Sequence, residues 1–272
     1  MAPIGDAPPR HRPRKRFGQH FLSPAWSAKL VSAINPQPDQ TFFEIGPGHG
    51  AITRRLAERA AAVVAVEVDR DLAARLRAAT IGGLTVVEAD VLDVDLGTLG
   101  LPRGTRVAGN LPYNIASPIL FCLLEAQARL ELFADATLML QKEVADRLVA
   151  SPGGKDYGPL TIFTALHARV SRLLTLPPGA FHPPPKVTSA VVRVQFLAAS
   201  QRPVVPAAFE SMLRALFSAR RKTVANGLKA PAAAAGTTPA ATLARAGIDP
   251  RLRPEQLSVD QLLSLARSLT ST

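Results

Sequence analysis

Sulfur chemistry, long apolar runs and clustered metal ligands are all missing from this sequence. A single cysteine, Cys122, has no partner for an intrachain disulfide, which points to a reducing compartment. No unbroken apolar stretch reaches the roughly 18 residues of a membrane span. The basic N-terminus lacks the apolar run of a secretory signal. A cytoplasmic protein with no membrane partner is therefore expected. His and Cys nowhere cluster at metal-ligand spacing, so no metal site is expected. Acidic residues are also short: 21 Asp and Glu against 32 Lys and Arg give a net charge of +11 and a pI near 10.8. That balance suits a polyanionic partner, with a merely solvated basic surface as the alternative.

What is present is a core and a regular alternation. Hydrophobic residues make up 47% of 272 positions, enough for one large domain or a large one with a small one. Residues 1–16, with Arg10, Arg12, Arg14, Lys15 and Arg16 among prolines, read as a basic, disordered arm able to neutralise phosphates. Over residues 17–200, strand-like runs at Thr41–Ile45, Val63–Val66, Leu84–Glu88, Arg106–Ala108, Ala136–Leu140, Val170–Leu176 and Ala190–Phe196 are spaced by helical runs. Such alternation predicts an α/β domain with a mostly parallel sheet. The first helix is predicted over 23–34, with Ser23 as N-cap and Pro24 in its first turn. Residues 201–272 hold ten Lys or Arg and four Asp or Glu and predict a small, basic, all-α domain, with the alanine-rich piece 230–236 as a loop.

Chemistry concentrates at the ends of the predicted strands. The first runs into Gly46-Pro47-Gly48-His49-Gly50 and then a helix, the opening of a nucleotide-binding α/β unit. Glu67 ends the second strand about 20 residues on, where a carboxylate can take both hydroxyls of a ribose. Asp90 follows the third strand and can accept from an adenine amine. The fourth strand delivers Gly109-Asn110-Leu111-Pro112-Tyr113. Asn110 offers a side-chain carbonyl, Pro112 disfavours a helical Leu111 so that nearby carbonyls can turn outward, and Tyr113 supplies a flat ring. Two acceptors beside an aromatic platform suit the exocyclic amine of a nucleobase. A plain Asn-Leu-Pro turn with a packed tyrosine is the alternative for this stretch alone.

Seven stretches in order then resemble a known family: RKRFGQHFL (Arg14–Leu22), FEIGPGHG (Phe43–Gly50), VEVDRDL (Val66–Leu72), EADVL (Glu88–Leu92), GNLPYNI (Gly109–Ile115), FHPPPKVTSAVV (Phe181–Val192) and FSARRKT (Phe217–Thr223). They resemble the adenosylmethionine-dependent ribosomal RNA adenine dimethyltransferases, most closely the bacterial small-subunit (16S) members. The resemblance implies a class I, Rossmann-like methyltransferase fold, S-adenosyl-L-methionine as cofactor, and a monomer that acts on 16S ribosomal RNA in an immature small subunit. It implies two methyl groups added to N6 of each of two adjacent adenosines near the 3′ end of that RNA. It places Gly46 under the methionine part of the cofactor, Glu67 at its ribose, Asp90 at its adenine, and His20, Leu22 and Asn110 as further contacts. Many relatives have Asn where this chain has His20. Asn110 and Leu111 would grip the reacting amine while Tyr113 and Phe181 sandwich the extruded base. Arg14, Lys15 and Arg16 in the arm, and Arg220, Arg221 and Lys222 in the helical domain, would hold RNA phosphates. Two other readings stand beside it: a large-subunit (23S) adenine methyltransferase of the macrolide-resistance type, and a non-catalytic RNA-binding assembly factor.

Overall fold

The computed structural model describes residues 20–218 and 222–270. The basic arm with Arg14, Lys15 and Arg16, and the pair Arg220 and Arg221, lie outside the described residues. The strands in chain order are β1 (Phe21–Leu22), β2 (Thr41–Ile45), β3 (Ala62–Glu67), β4 (Leu84–Glu88), β5 (Thr105–Asn110), β6 (Phe133–Gln141), β7 (Ala168–Leu176), β8 (Phe181–His182) and β9 (Ser189–Phe196). Seven of them form one sheet in the order β4-β3-β2-β5-β6-β9-β7, while β1 and β8 pair antiparallel. The pairs β3/β4, β2/β3, β2/β5 and β5/β6 are parallel, as the alternation of runs requires.

Two compact units divide the chain. The first comprises residues up to 142 together with 172–194; the second comprises 143–171 and 195–272. This differs from the division at residue 200 read from composition. Residues 143–171 join the C-terminal helices because Tyr157, Ile162 and Leu166 bury their side chains in one cluster with Phe209, Met212 and Leu216. Burial of apolar surface, not charge, decides that grouping. The alanine-rich stretch also differs from expectation: Lys229–Ala234 is a helix, as the helix preference of alanine favours, and Gly236 ends it at φ +67°.

Within the first unit, β2 lies inside the sheet between β3 and β5, and its Phe42, Phe43 and Ile45 are buried, the pattern of a parallel strand covered on both faces. The chain runs β2, β3, β4 to one side of it and places β5 and β6 on the other. The order therefore reverses between β2 and β5, and such a switch point leaves a crevice at the C-terminal strand ends. Helix α1 (Pro24–Ile34) begins at Pro24, but the Ser23 hydroxyl makes no capping bond. The Ser23 carbonyl instead accepts from the Ser27 amide and hydroxyl, and Asn35 in a left-handed conformation closes the helix.

The opposite end of the switch point is tied by charge. Arg106 Nε and Nη2 donate to Asp135 at 2.7 and 2.8 Å, and Nη1 donates to the Asn35 carbonyl at 3.2 Å and to Gln40 Oε1 at 3.0 Å. Both partners of the ion pair are nearly buried, and Arg193 Nε lies 3.5 Å from Asp135. Replacing Arg106 by Met would leave the buried Asp135 carboxylate with Arg193 alone and take one of two donors from the Asn35 carbonyl and from Gln40 Oε1, which keep Gln37. Breaking a buried pair in this way costs about 3–5 kcal/mol. Urea unfolding should show that loss; a change below about 1 kcal/mol, typical of exposed pairs, would contradict it.

Candidate functional site

A cavity of about 460 Å³ opens at the C-terminal ends of β2, β3 and β5, a volume in the usual range for small-molecule sites. Its wall includes His20, Leu22, Gly46, Glu67, Asp90, Asn110, Leu111 and Tyr113. Local backbone chemistry explains the floor. After β2 the chain turns at Gly46 and Gly48, which have φ of +64° and +59° and could not carry side chains without strain. Across the switch point, Gly109 lies so close to β2 that a Cβ there would meet the Ile45 carbonyl oxygen at 3.0 Å.

Glu67 closes the glycine turn. Its Oε2 accepts from the Gly48 amide and its Oε1 from the Asp69 amide, both at 2.9 Å. A carboxylate offers about four lone-pair sites, so both oxygens keep capacity for further donors. Burial pushes its pKa up, and those backbone donors pull the other way. Asp69 in turn caps the helix Arg70–Ala78, accepting from the Asp71 amide. Asp90 is half-buried and lines the cavity; its Oδ1 accepts from the Leu92 amide at 3.0 Å.

The other wall is assembled from distant segments. Asn110, the last residue of β5, donates from Nδ2 to the His20 carbonyl at 2.9 Å, which leaves its Oδ1 as an acceptor. His20 Nδ1 lies 2.8 Å from the Pro183 carbonyl. A carbonyl only accepts, so Nδ1 carries the proton. The His20 and Tyr113 rings stack with centroids 5.8 Å apart and planes 23° from parallel. The Tyr113 hydroxyl lies 2.7 Å from Ser189 Oγ, and burial pushes the phenol pKa up. Phe21 lies against His49 of the glycine turn at 4.1 Å.

Phe181 is not brought to this wall. It is only 5% exposed and packs in the apolar cluster with Leu22, Val31 and Met139. The antiparallel register of β1 and β8 sets Phe181 opposite Leu22 and so turns it to the core. In this structure the ring stacked with Tyr113 belongs to His20, not Phe181. Lys222, the described member of its basic cluster, is exposed in the second unit.

Glu44 escaped the sequence reading. It sits in β2 between buried apolar neighbours, fully buried, and its Oε2 has no hydrogen-bond partner. Burial, with Glu67 nearby, pushes its pKa up to about 8. The available signal was an acid among the apolar residues of an inner strand, two residues before the glycine turn.

A model of the ribosomal RNA adenine dimethylase family matches residues 10–271. The ribosomal RNA small subunit methyltransferase A of Aromatoleum aromaticum is 46% identical over 264 residues, covering 96% of each chain. That of Bordetella pertussis is 47% identical over 262 residues, covering 95% of each. Among solved structures, a dimethyladenosine transferase from Plasmodium falciparum superposes with a TM-score of 0.72 at 26% identity, covering 90% of this chain and 96% of that one. The 23S rRNA methyltransferase ErmE superposes at 0.67 with 28% identity, covering 92% and 100%.

The buried Glu44 carries a pH signature. Its carboxyl titrates near 4.5 when unfolded and near 8 when folded. Between those values the folded state holds a proton that the unfolded state has released, so stability falls as pH rises through this window. Glu44→Gln lacks that slope. Thermal melts from pH 5 to 8.5 should therefore show the variant gaining on the wild type as pH rises; parallel curves would place the Glu44 titration elsewhere.

Proposed function

The chain belongs to the ribosomal RNA adenine dimethylase family, and from that premise we propose that it dimethylates N6 of two adjacent adenosines near the 3′ end of small-subunit (16S) ribosomal RNA. The observation that carries the reading is one cavity joining the acids Glu67 and Asp90 to the Asn110–Tyr113 wall. Its fold is that of a class I methyltransferase, and its cofactor is S-adenosyl-L-methionine. The residues present fit that group. The glycine turn leaves open space at Gly46, where a Cβ would meet nothing within 4 Å. Glu67 keeps acceptor capacity for two ribose hydroxyls, and Asp90 Oδ2 is available to an adenine amine. His20, Leu22 and Asn110 complete the enclosure.

When bound, adenosylmethionine supplies an electrophilic methyl group. The chain's own residues prepare the nucleophile. An adenine amine is a poor nucleophile because its lone pair is delocalised into the ring. Asn110 Oδ1 and the Leu111 carbonyl accept the two amine hydrogens and favour a pyramidal nitrogen. The Nδ2–His20 bond fixes which end of the Asn110 amide is offered. Tyr113 gives the extruded base a stacking face. Positioning then accounts for most of the rate gain. In this reading Phe181 acts on the base only if β8 rearranges.

One adenine pocket cannot select a site, because every adenosine offers the same base. Selection is assigned to basic stretches of the sequence that the strand-end motifs do not use: Arg14, Lys15 and Arg16, and Arg220, Arg221 and Lys222. The substrate in this reading is an immature small subunit in the cytoplasm, and one copy of the chain suffices. Labelled adenosylmethionine with undermethylated small subunits, followed by base mapping, is the test. Label on two adjacent 16S adenosines is expected; label on 23S RNA, or none, overturns the reading.

Asn110→Ala should lower the methyl-transfer rate by about 10²-fold or more, with little change in RNA affinity, because its contact matters most in the transition state. Single-turnover kinetics beside filter binding separates the two effects, and normal turnover of bound RNA would remove Asn110 from the chemistry. Replacing Arg220, Arg221 and Lys222 together by Ala should weaken subunit binding and flatten its salt dependence, through fewer released counterions. Cofactor affinity should be unchanged; a wild-type salt slope would assign the cluster to solubility.

A further inference from the structure

We propose that Ser189 is a positioning residue for base capture, acting through the hydroxyl of Tyr113. The inference rests on the reading of Tyr113 as the stacking platform. Ser189 opens β9, a strand whose Ala190, Val191, Val192 and Val194 are all buried, and is itself 0% exposed. A hydroxyl in such surroundings is costly unless it is paired. Its side-chain partner is Tyr113, 76 residues earlier, at an oxygen–oxygen distance of 2.7 Å.

The geometry says what the bond does. Tyr113 lies on the loop between β5 and the helix Ala116–Leu130, outside any regular element. Loops hold side chains less firmly than strands do. The phenolic oxygen lies on the axis of the ring, so a ring flip leaves it in place, whereas a swing of that axis about the Cα–Cβ bond moves it. A bond to a buried strand residue therefore holds the direction of the axis without opposing the flip. His20 holds one face of the same ring at 5.8 Å and is itself tied to the Pro183 carbonyl. The platform is thus anchored at its edge by Ser189 and on one face by His20, which leaves the other face for a base. Such preorganisation means that less ordering remains when the base arrives.

Ser189→Ala and Tyr113→Phe each delete this one bond, from opposite ends. Each should lower kcat/KM for subunit methylation by about three- to tenfold, the size of one modest hydrogen bond. The double variant should be no worse than either single, since both remove the same interaction. Tyr113→Phe leaves β9 untouched, so it reads the bond even if Ser189→Ala folds poorly. A second readout needs no activity. The chain has two tyrosines, Tyr113 and Tyr157, so 3-fluorotyrosine labelling yields two ¹⁹F resonances, and Tyr113→Phe assigns them. In Ser189→Ala the Tyr113 signal should move, while Tyr157, bonded to the Leu257 carbonyl, stays as the internal reference. Additive losses in the double variant, or an unmoved Tyr113 signal, would overturn the proposal. Failure of the wild type to methylate 16S adenosines would instead overturn the functional reading, and the ¹⁹F result would still decide whether Ser189 anchors the ring.

Discussion

The close approach of β5 to β2 at their C-terminal ends is the constraint on which the site depends. Backbone reaches backbone there: Ile45 pairs with Gly109, and the missing Cβ of Gly109 leaves room for the Ile45 carbonyl. A Cβ at 109 would meet that oxygen at 3.0 Å, so a side chain there requires the seam to give by a few tenths of an ångström. The glycine turn and Asn110 each follow directly from these two strands. Parallel pairing at a switch point thus fixes two walls of one cavity with no side chain spent on holding them together.

Polar groups near this seam carry the energetic load. Glu67 is buried yet stable because two backbone amides meet its two oxygens, and the same bonds lock the glycine turn. Glu44, one strand position behind the turn, has an unmatched oxygen and holds its proton to unusually high pH. At the other end of the sheet, the Arg106–Asp135 pair is satisfied on nearly every side. Unpaired polar capacity is what a ligand can use, and its cost is borne by the packed sheet around it.

The short β1–β8 ladder does work out of proportion to its size. Through it the segment 20–22 meets residues 181–183, so that Phe21 reaches the glycine turn, the His20 carbonyl orients Asn110, and the His20 ring meets Tyr113. The same register removes Phe181 from the wall and commits it to the core. One antiparallel pairing of two residues per strand thus chooses which aromatic rings line the cavity.

Local pattern by itself determined a good deal. Strands such as Thr41–Ile45 and Leu84–Glu88 were legible to their last residue, because both are short, largely apolar runs punctuated by glycine or acid. That Glu67, Asp90 and Asn110 share one cavity was legible too, since strand ends in α/β sheets face one crevice. Tertiary structure alone decided the rest. It placed residues 143–171 with the C-terminal helices, turned Phe181 inward, paired His20 with Tyr113, and set Ser189 under the Tyr113 hydroxyl. The bonds involved join residues 76, 90 and 163 positions apart. Periodicity and propensity describe neighbours along the chain, whereas these pairings exist only once the sheet has brought distant segments to the same edge.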